Sequence, residues 1–233
     1  MPKLLHIEFD RLKKMLLELS AVVEGSLRKA VVAIERRDAV LAQEVIRGDL
    51  EIDRREVHLE EECLKILALH QPVATDLRYI VAVLKLNNDL ERIGDLSVNV
   101  AESTLGLADR PEPATPAEIY EMAEKALEMV RKALDSLIQL DAQQARLVLA
   151  ADDEIDALNR RMFALARQGM HAEPAYLDGH AHFLRVSSDL ERIADHATNI
   201  AKDVIYMMEG QIVRHRTKDI LAEMRKAKAD QAP

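Results

Sequence analysis

The chain has 233 residues, of which 48% are hydrophobic and 3% aromatic, with no Trp; 41 acidic side chains stand against 32 basic ones for a formal charge of −9. That balance argues against a nucleic-acid binder, which would carry a basic stripe, and one cysteine, Cys63, leaves no intramolecular disulfide framework and points to a reducing compartment. No basic segment followed by an apolar stretch opens the chain, and no apolar run approaches the roughly 18 residues that span a bilayer, so a cytoplasmic address without membrane insertion is expected.

With so few aromatics the core falls to Ala, Leu, Val and Ile, which suits packed helices. Leu12, Leu16, Leu19, Val23, Leu27, Ala30 and Ile34 recur at spacings of three and four and define a first amphipathic helix. Asp38 is placed to cap a second, whose apolar ridge is Leu41, Val45, Ile52, Leu59, Cys63 and Ile66. Gln71-Pro72 interrupts it, and a third helix runs to about Leu107 with Val83, Leu86, Leu90, Ile93 and Val100 inward. Three prolines, Pro111, Pro113 and Pro116, then forbid a continuous helix. The spacing predicts that Thr115 caps the next helix, with Pro116 in its first position and Glu118 closing a capping box. Helices over about 116–139, 141–170 and 174–211 follow, the second capped by Asp141 and the last opened by Glu173-Pro174. The charged tail from Arg214 to Pro233 reads as a short helix that frays.

This plan is a duplication. Asp89-Leu90-Glu91-Arg92-Ile93-Gly94-Asp95-Leu96-Ser97-Val98-Asn99-Val100-Ala101 recurs 100 residues later, from Asp189 to Ala201, with 8 of 13 positions identical. Upstream, Met15 to Asp53 aligns without gaps onto Glu118 to Asp156 at an offset of 103. Two copies are too few for a solenoid. The expected fold is all-α: two tandem antiparallel three-helix bundles, residues 1–110 and 111–233.

The repeated segment carries chemistry as well as packing. Glu91, Asp95 and Asn99 are four residues apart, so each step turns about 40° and the three side chains share one face. Asp49 and Asp53 form a like pair on the second helix. If that helix runs antiparallel to the third, four carboxylates and an amide converge. The second half repeats the set with Asp152, Asp156, Glu191, Asp195 and Asn199. Carboxylates one turn apart repel by a few tenths of a kcal/mol per pair, and a cation removes the repulsion. Hard oxygen donors suit Mg, Ca, Mn or iron, so these ten residues are the candidate metal ligands; a solvated acidic face is the simpler account of any single such spacing. Arg92 and Arg192 read as intrahelical partners of acids one turn away. His196, whose counterpart is Leu96, reads as a local polar residue, and Cys63 as a buried hydrophobe. No Glu-x-x-His occurs, against a ferritin-like di-iron oxidase, and no nucleophile–base arrangement stands out.

These residues together resemble the PhoU family, over nearly the whole chain. Its Glu-x-x-x-Asp-x-x-x-Asn motif is met by Glu91/Asp95/Asn99 and again by Glu191/Asp195/Asn199. Gln71-Pro72-Val73-Ala74-Thr75-Asp76-Leu77-Arg78 looks like the family segment that opens the third helix. The halves depart from each other at Asp178, where the first has Arg78, and at Ala194, where it has Gly94. The resemblance implies six helices in two bundles, with motif faces able to carry transition metal ions (iron, zinc or manganese) or multinuclear iron clusters. It also implies a cytoplasmic, homodimeric, non-enzymatic negative regulator of the phosphate-starvation response, joining the ATPase of the phosphate-specific ABC transporter to a sensor histidine kinase. The alternative is a metal-storage or metal-dependent enzyme bundle using the same carboxylates.

Overall fold

A computed structural model describes residues 3–108, 113–210 and 212–213. It contains α1 (Lys3–Arg36), α2 (Ala39–His70), α3 (Thr75–Ala108), α4 (Ala117–Gln139), α5 (Ala142–Ala172) and α6 (Leu177–Glu209), with a 3₁₀ turn at Pro174–Tyr176 before α6. No strand occurs among the described residues, and no helix there is long and apolar enough to cross a membrane.

The helices begin and end where local chemistry directs. Asp38 adopts extended backbone and its carboxylate accepts from the N–H groups of Val40 and Leu41; Asp141 does the same for Gln143 and Gln144. Gln71, Leu140 and Gly210 close α2, α4 and α6 in left-handed backbone, with φ of 44°, 53° and 72°. The capping box at Thr115 does not form. Pro116 is itself the extended cap residue, at φ −60° and ψ 146°, so α4 starts one residue later and no side chain caps it. The sixth helix likewise starts three residues after Pro174, because the chain first makes a 3₁₀ turn. The helix expected from Arg214 onward lies outside the described residues, as does Pro111.

Helices α1, α2 and α3 pack against one another as one bundle and α4, α5 and α6 as the other; α3 also lies along α6, and α1 against α4. The two bundles share a continuous apolar interior. The ridge from Leu12 to Ile34 is fully buried, as are Val83, Leu86, Leu90, Ile93 and Val100 on α3 and Phe183, Val186, Leu190 and Ile193 on α6. Leu41 is only half-buried and Ala42 takes its inward place. Three buried hydroxyls bond within their own helices, Ser20 to the Leu16 carbonyl, Ser97 to that of Ile93 and Thr104 to that of Val100.

Asp38→Ala and Asp141→Ala should each lower unfolding free energy by about 1 kcal/mol, and the double variant by about the sum, in urea titrations. Unchanged midpoints in both single variants would show that the caps do not hold these helix starts.

Candidate acidic site

Where α2 crosses α3 and α5 crosses α6, the duplicated carboxylates meet. On the first crossing Asp49 lies among Asp53 and Asp95, and Glu91 among Asp95, Glu56 and Asp53. Gly94 makes the approach close: a Cβ there would stand 3.1 Å from the Ile52 side chain and 3.6 Å from Asp49 Oδ1. That oxygen is buried and has no hydrogen-bond partner among the described residues. Burial first, then the charges of Asp53 and Asp95, pushes the Asp49 carboxyl up to about 6. Glu91 is raised by burial and Asp95 against the pull of Arg92, and Glu56 by burial and Glu60. Glu56, absent from the expected set, holds its place through Asn87, whose Nδ2 donates to the Glu56 carbonyl at 3.0 Å and to Oε1 at 3.1 Å.

The second crossing repeats the first. Burial, then Asp195 and Asp156, pushes Asp152 up to about 6. Glu191 is raised by burial, Asp195 and Asp156, and Asp195 by burial and Asp156, with Lys202 opposing. Lys202 marks a difference between the crossings, because the matching residue of the first half is Glu102. Arg92 bonds Asp95 at 2.9 Å and Arg192 lies 3.8 Å from Asp189, each within its own helix.

The two asparagines of the motif serve a different contact, the seam between α3 and α6. Asn199 Nδ2 donates to Asp89 Oδ1 at 3.3 Å, and Arg185 donates to Asn99 Oδ1 and to Glu102, both at 3.0 Å. His196 is no local polar residue: its Nδ1 lies 2.7 Å from Asp89 Oδ1 in the other half. Asp189, the counterpart of Asp89, is raised by burial against the pull of Arg185, Arg192 and a hydrogen bond from Asn99. Lys85 bonds Asp203 at 3.1 Å and lies 5.0 Å over the Tyr206 ring, which Arg78 also approaches at 5.8 Å. The end of α6 thus rests on the segment that opens α3, and the left-handed Gly210 there leaves the Arg78 guanidinium 2.7 Å from where a Cβ would be. A cleft of about 620 Å³ runs along this seam, lined by Lys85, Asp89, Asn199, Lys202 and Tyr206 among others. Sequence reasoning missed Asp89 and Asp189, although each opens its copy of the repeat, because both stand outside the four-residue spacing of the ridge.

Eight of the ten candidate ligands therefore line the two crossings, Asp49, Asp53, Glu91 and Asp95 at the first and Asp152, Asp156, Glu191 and Asp195 at the second, while Asn99 and Asn199 face the seam. The donor chemistry fits a hard cation, and an orphaned carboxylate oxygen stands in the first group. Among the described residues no three Asp, Glu, His or Cys side chains are already gathered as a cage for an ion.

A tandem pair of helical bundles, each with an acidic ridge where its last two helices cross, is a recognisable class. The PhoU domain pattern matches residues 16–104 and again residues 119–204. A PhoU homologue of Aquifex aeolicus, termed a phosphate-specific transport system accessory protein, is 36% identical over 209 residues, 90% of this chain and 95% of that one. One from Pseudomonas aeruginosa is 35% identical over 211 residues, 90% of this chain and 87% of that one. The crystal structure of PhoU from Pseudomonas aeruginosa superposes with a TM-score of 0.86 at 34% identity, covering 88% of this chain and 99% of that one. A phosphate transport system regulatory protein PhoU from Streptococcus pneumoniae superposes with a TM-score of 0.80 at 26% identity, covering 90% and 99%. The chain belongs to the PhoU family.

The raised carboxyls set a pH dependence. A group titrating at about 6 in the fold and near 4 when unfolded binds its proton more tightly in the fold. Its destabilising effect is absent below about pH 4, grows up to pH 6 and is complete above it. Allowing for solvent screening, Asp49→Asn and Asp152→Asn should each stabilise by about 1 kcal/mol at pH 7 and by nothing measurable at pH 4. Equal effects at both pH values would contradict the assignment. At the seam, His196→Leu removes the His196 contact from the buried Asp89 carboxylate and should cost about 1–3 kcal/mol by thermal melting; a neutral result would mean the contact carries no stability.

Proposed function

We propose that this chain is a non-enzymatic adaptor that represses the phosphate-starvation response. In this reading it joins the ATPase of the phosphate transporter to a sensor histidine kinase in the cytoplasm, as a homodimer. The observation that carries this reading is the pair of equivalent acidic crossings on one two-bundle frame, in a chain whose relatives are phosphate transport accessory proteins. Half-buried carboxylates held together against their repulsion suit a reversible cation site better than a solvated face, because a cation relieves the desolvation and the repulsion at once.

In this reading Asp49, Asp53, Glu91 and Asp95, and their four counterparts, hold iron, manganese or zinc. The bound ion supplies charge neutralisation that tightens the α2–α3 and α5–α6 crossings, and the adaptor's partners meet a different surface when it is present. The buried, unpartnered oxygen of Asp49 equally favours a second reading, a metal-storage bundle, which uses the same ligands without the partners. Co-purification with the transporter ATPase and the kinase separates the two, since only the adaptor needs them.

Two outcomes are expected. Metal at 100 times its dissociation constant should stabilise the protein by about 2.7 kcal/mol, and the Asp49→Asn, Asp152→Asn double variant should lose most of that gain. Equal gains in both proteins would remove these residues from the site. In cells, Asp95→Asn with Asp195→Asn keeps side-chain size, so the protein should accumulate yet release starvation genes in phosphate-rich medium, as a deletion does. An abundant double variant that represses fully would exclude the ridges from signalling, and a deletion strain that represses normally would exclude this chain from the main phosphate circuit.

A further inference from the structure

The second bundle lacks a piece that the first one has. α1 is 34 residues long and α4 only 23. In the 103-residue alignment Arg36 falls on Gln139, so the missing 11 residues, about 16 Å of helix, all belong to the start of α4. In the first bundle those turns carry Leu5, Phe9 and Leu12, spaced i, i+4 and i+7. Leu5 and Leu12 are buried, and Phe9 meets the Tyr79 ring edge-on at 5.4 Å. Arg11 pairs with Glu62 of α2 at 3.4 Å.

The second bundle has changed the residues that would receive such turns. Tyr79 is matched by Gly179, which has no side chain, and Glu62 by Leu165, which is 40% exposed. Beside Leu165 lies a pocket of about 280 Å³ whose walls include Met162, Leu165, His180 and Phe183 and which also reaches the start of α4 at Pro116 and Glu118. His180 Nε2 is buried at this pocket with no hydrogen-bond partner among the described residues. An apolar pocket with one unsatisfied polar atom is built to receive an anchor rather than to face water.

We propose that this pocket seats an amphipathic helix of a partner protein, anchored by an aromatic side chain and ending in a basic residue. The chain itself supplies the template for the occupant, since Leu5, Phe9 and Leu12 fill the equivalent place in the first bundle. A helix following α1's course would set its last turn against Glu118, in the first turn of α4. A Lys or Arg there meets the carboxylate and its own helix's negative end together, and Lys13 closes the corresponding turns of α1. This is helix-in-groove recognition with a single aromatic anchor. The occupant is a protein other than a second copy of this chain, and the proposal does not rest on the phosphate reading.

The test uses a fluorescein-labelled peptide of residues 3–13 of this chain, titrated with full-length protein and followed by anisotropy. Saturable binding is expected, weakened about tenfold or more by Leu165→Lys, which sets a cation where Glu62 meets Arg11 in the first bundle. Phe9→Ala in the peptide should weaken it comparably, and that arm stands whether or not Leu165→Lys folds. Three results would overturn the proposal. The first is no binding up to about 1 mM. The second is binding indifferent to Leu165→Lys in a variant that melts like the parent, which would mean that the peptide displaces α1's own start. The third is a dimer that Leu165→Lys dissociates in light scattering, which would make a second copy the occupant.

Discussion

Helices α3 and α6 each pack against three other helices at once, and the rest of the structure follows from that constraint. α3 meets α1, α2 and α6; α6 meets α3, α4 and α5. Almost every direction around each helix is then taken. Leu86, Leu90 and Ile93 fill their own bundle, Asp89 and Asn99 face the other one, and Glu91 and Asp95 are left at the edge where α2 crosses. Packing there half-buries Glu91, and its raised proton affinity is the electrostatic consequence of that packing requirement.

The seam between the bundles follows a different rule from the interior. Within each bundle the core contacts are mostly aliphatic, and their loss is set by cavity size, about 2–5 kcal/mol for a buried Leu→Ala. Along α3 and α6, paired polar groups lie beside that apolar packing: Asp89 with His196 and Asn199, Lys85 with Asp203, Arg185 with Asn99 and Glu102. Such pairs are directional and fix how the halves are aligned. They also break the symmetry of the duplication. His196 replaces Leu96, and Lys202 replaces Glu102, so a cation lies near the second acidic crossing and an anion stands at the matching place near the first.

Much of this was legible in the sequence because it is periodic. The ridges from Leu12 to Ile34 and from Val83 to Val100 turned inward as their spacing requires, and Asp38 and Asp141 cap as their chemistry requires. The grouping of Asp49 and Asp53 with Glu91 and Asp95 was also readable, since it needs only two antiparallel neighbours. What the spacing hid is what depends on a third helix. Asn99 and Asn199 share a face with the acids on a helical wheel, yet they sit two turns beyond Glu91 and Glu191, where the neighbour is the opposite bundle. His196 looked local because its partner lies 107 residues away. Thr115 failed as a cap because one proline dihedral, invisible in a residue pattern, moved the helix start by one position.

Each crossing holds a carboxyl against its charge, and a carbon-detected NMR titration of the Asp side chains in the metal-free protein measures this directly. Asp49 and Asp152 should titrate near 6, and Asp95→Asn should lower the Asp49 midpoint by removing a neighbouring charge. Midpoints near 4 for both, unmoved by Asp95→Asn, would mean that the ridges are ordinary solvated faces and would contradict that expectation.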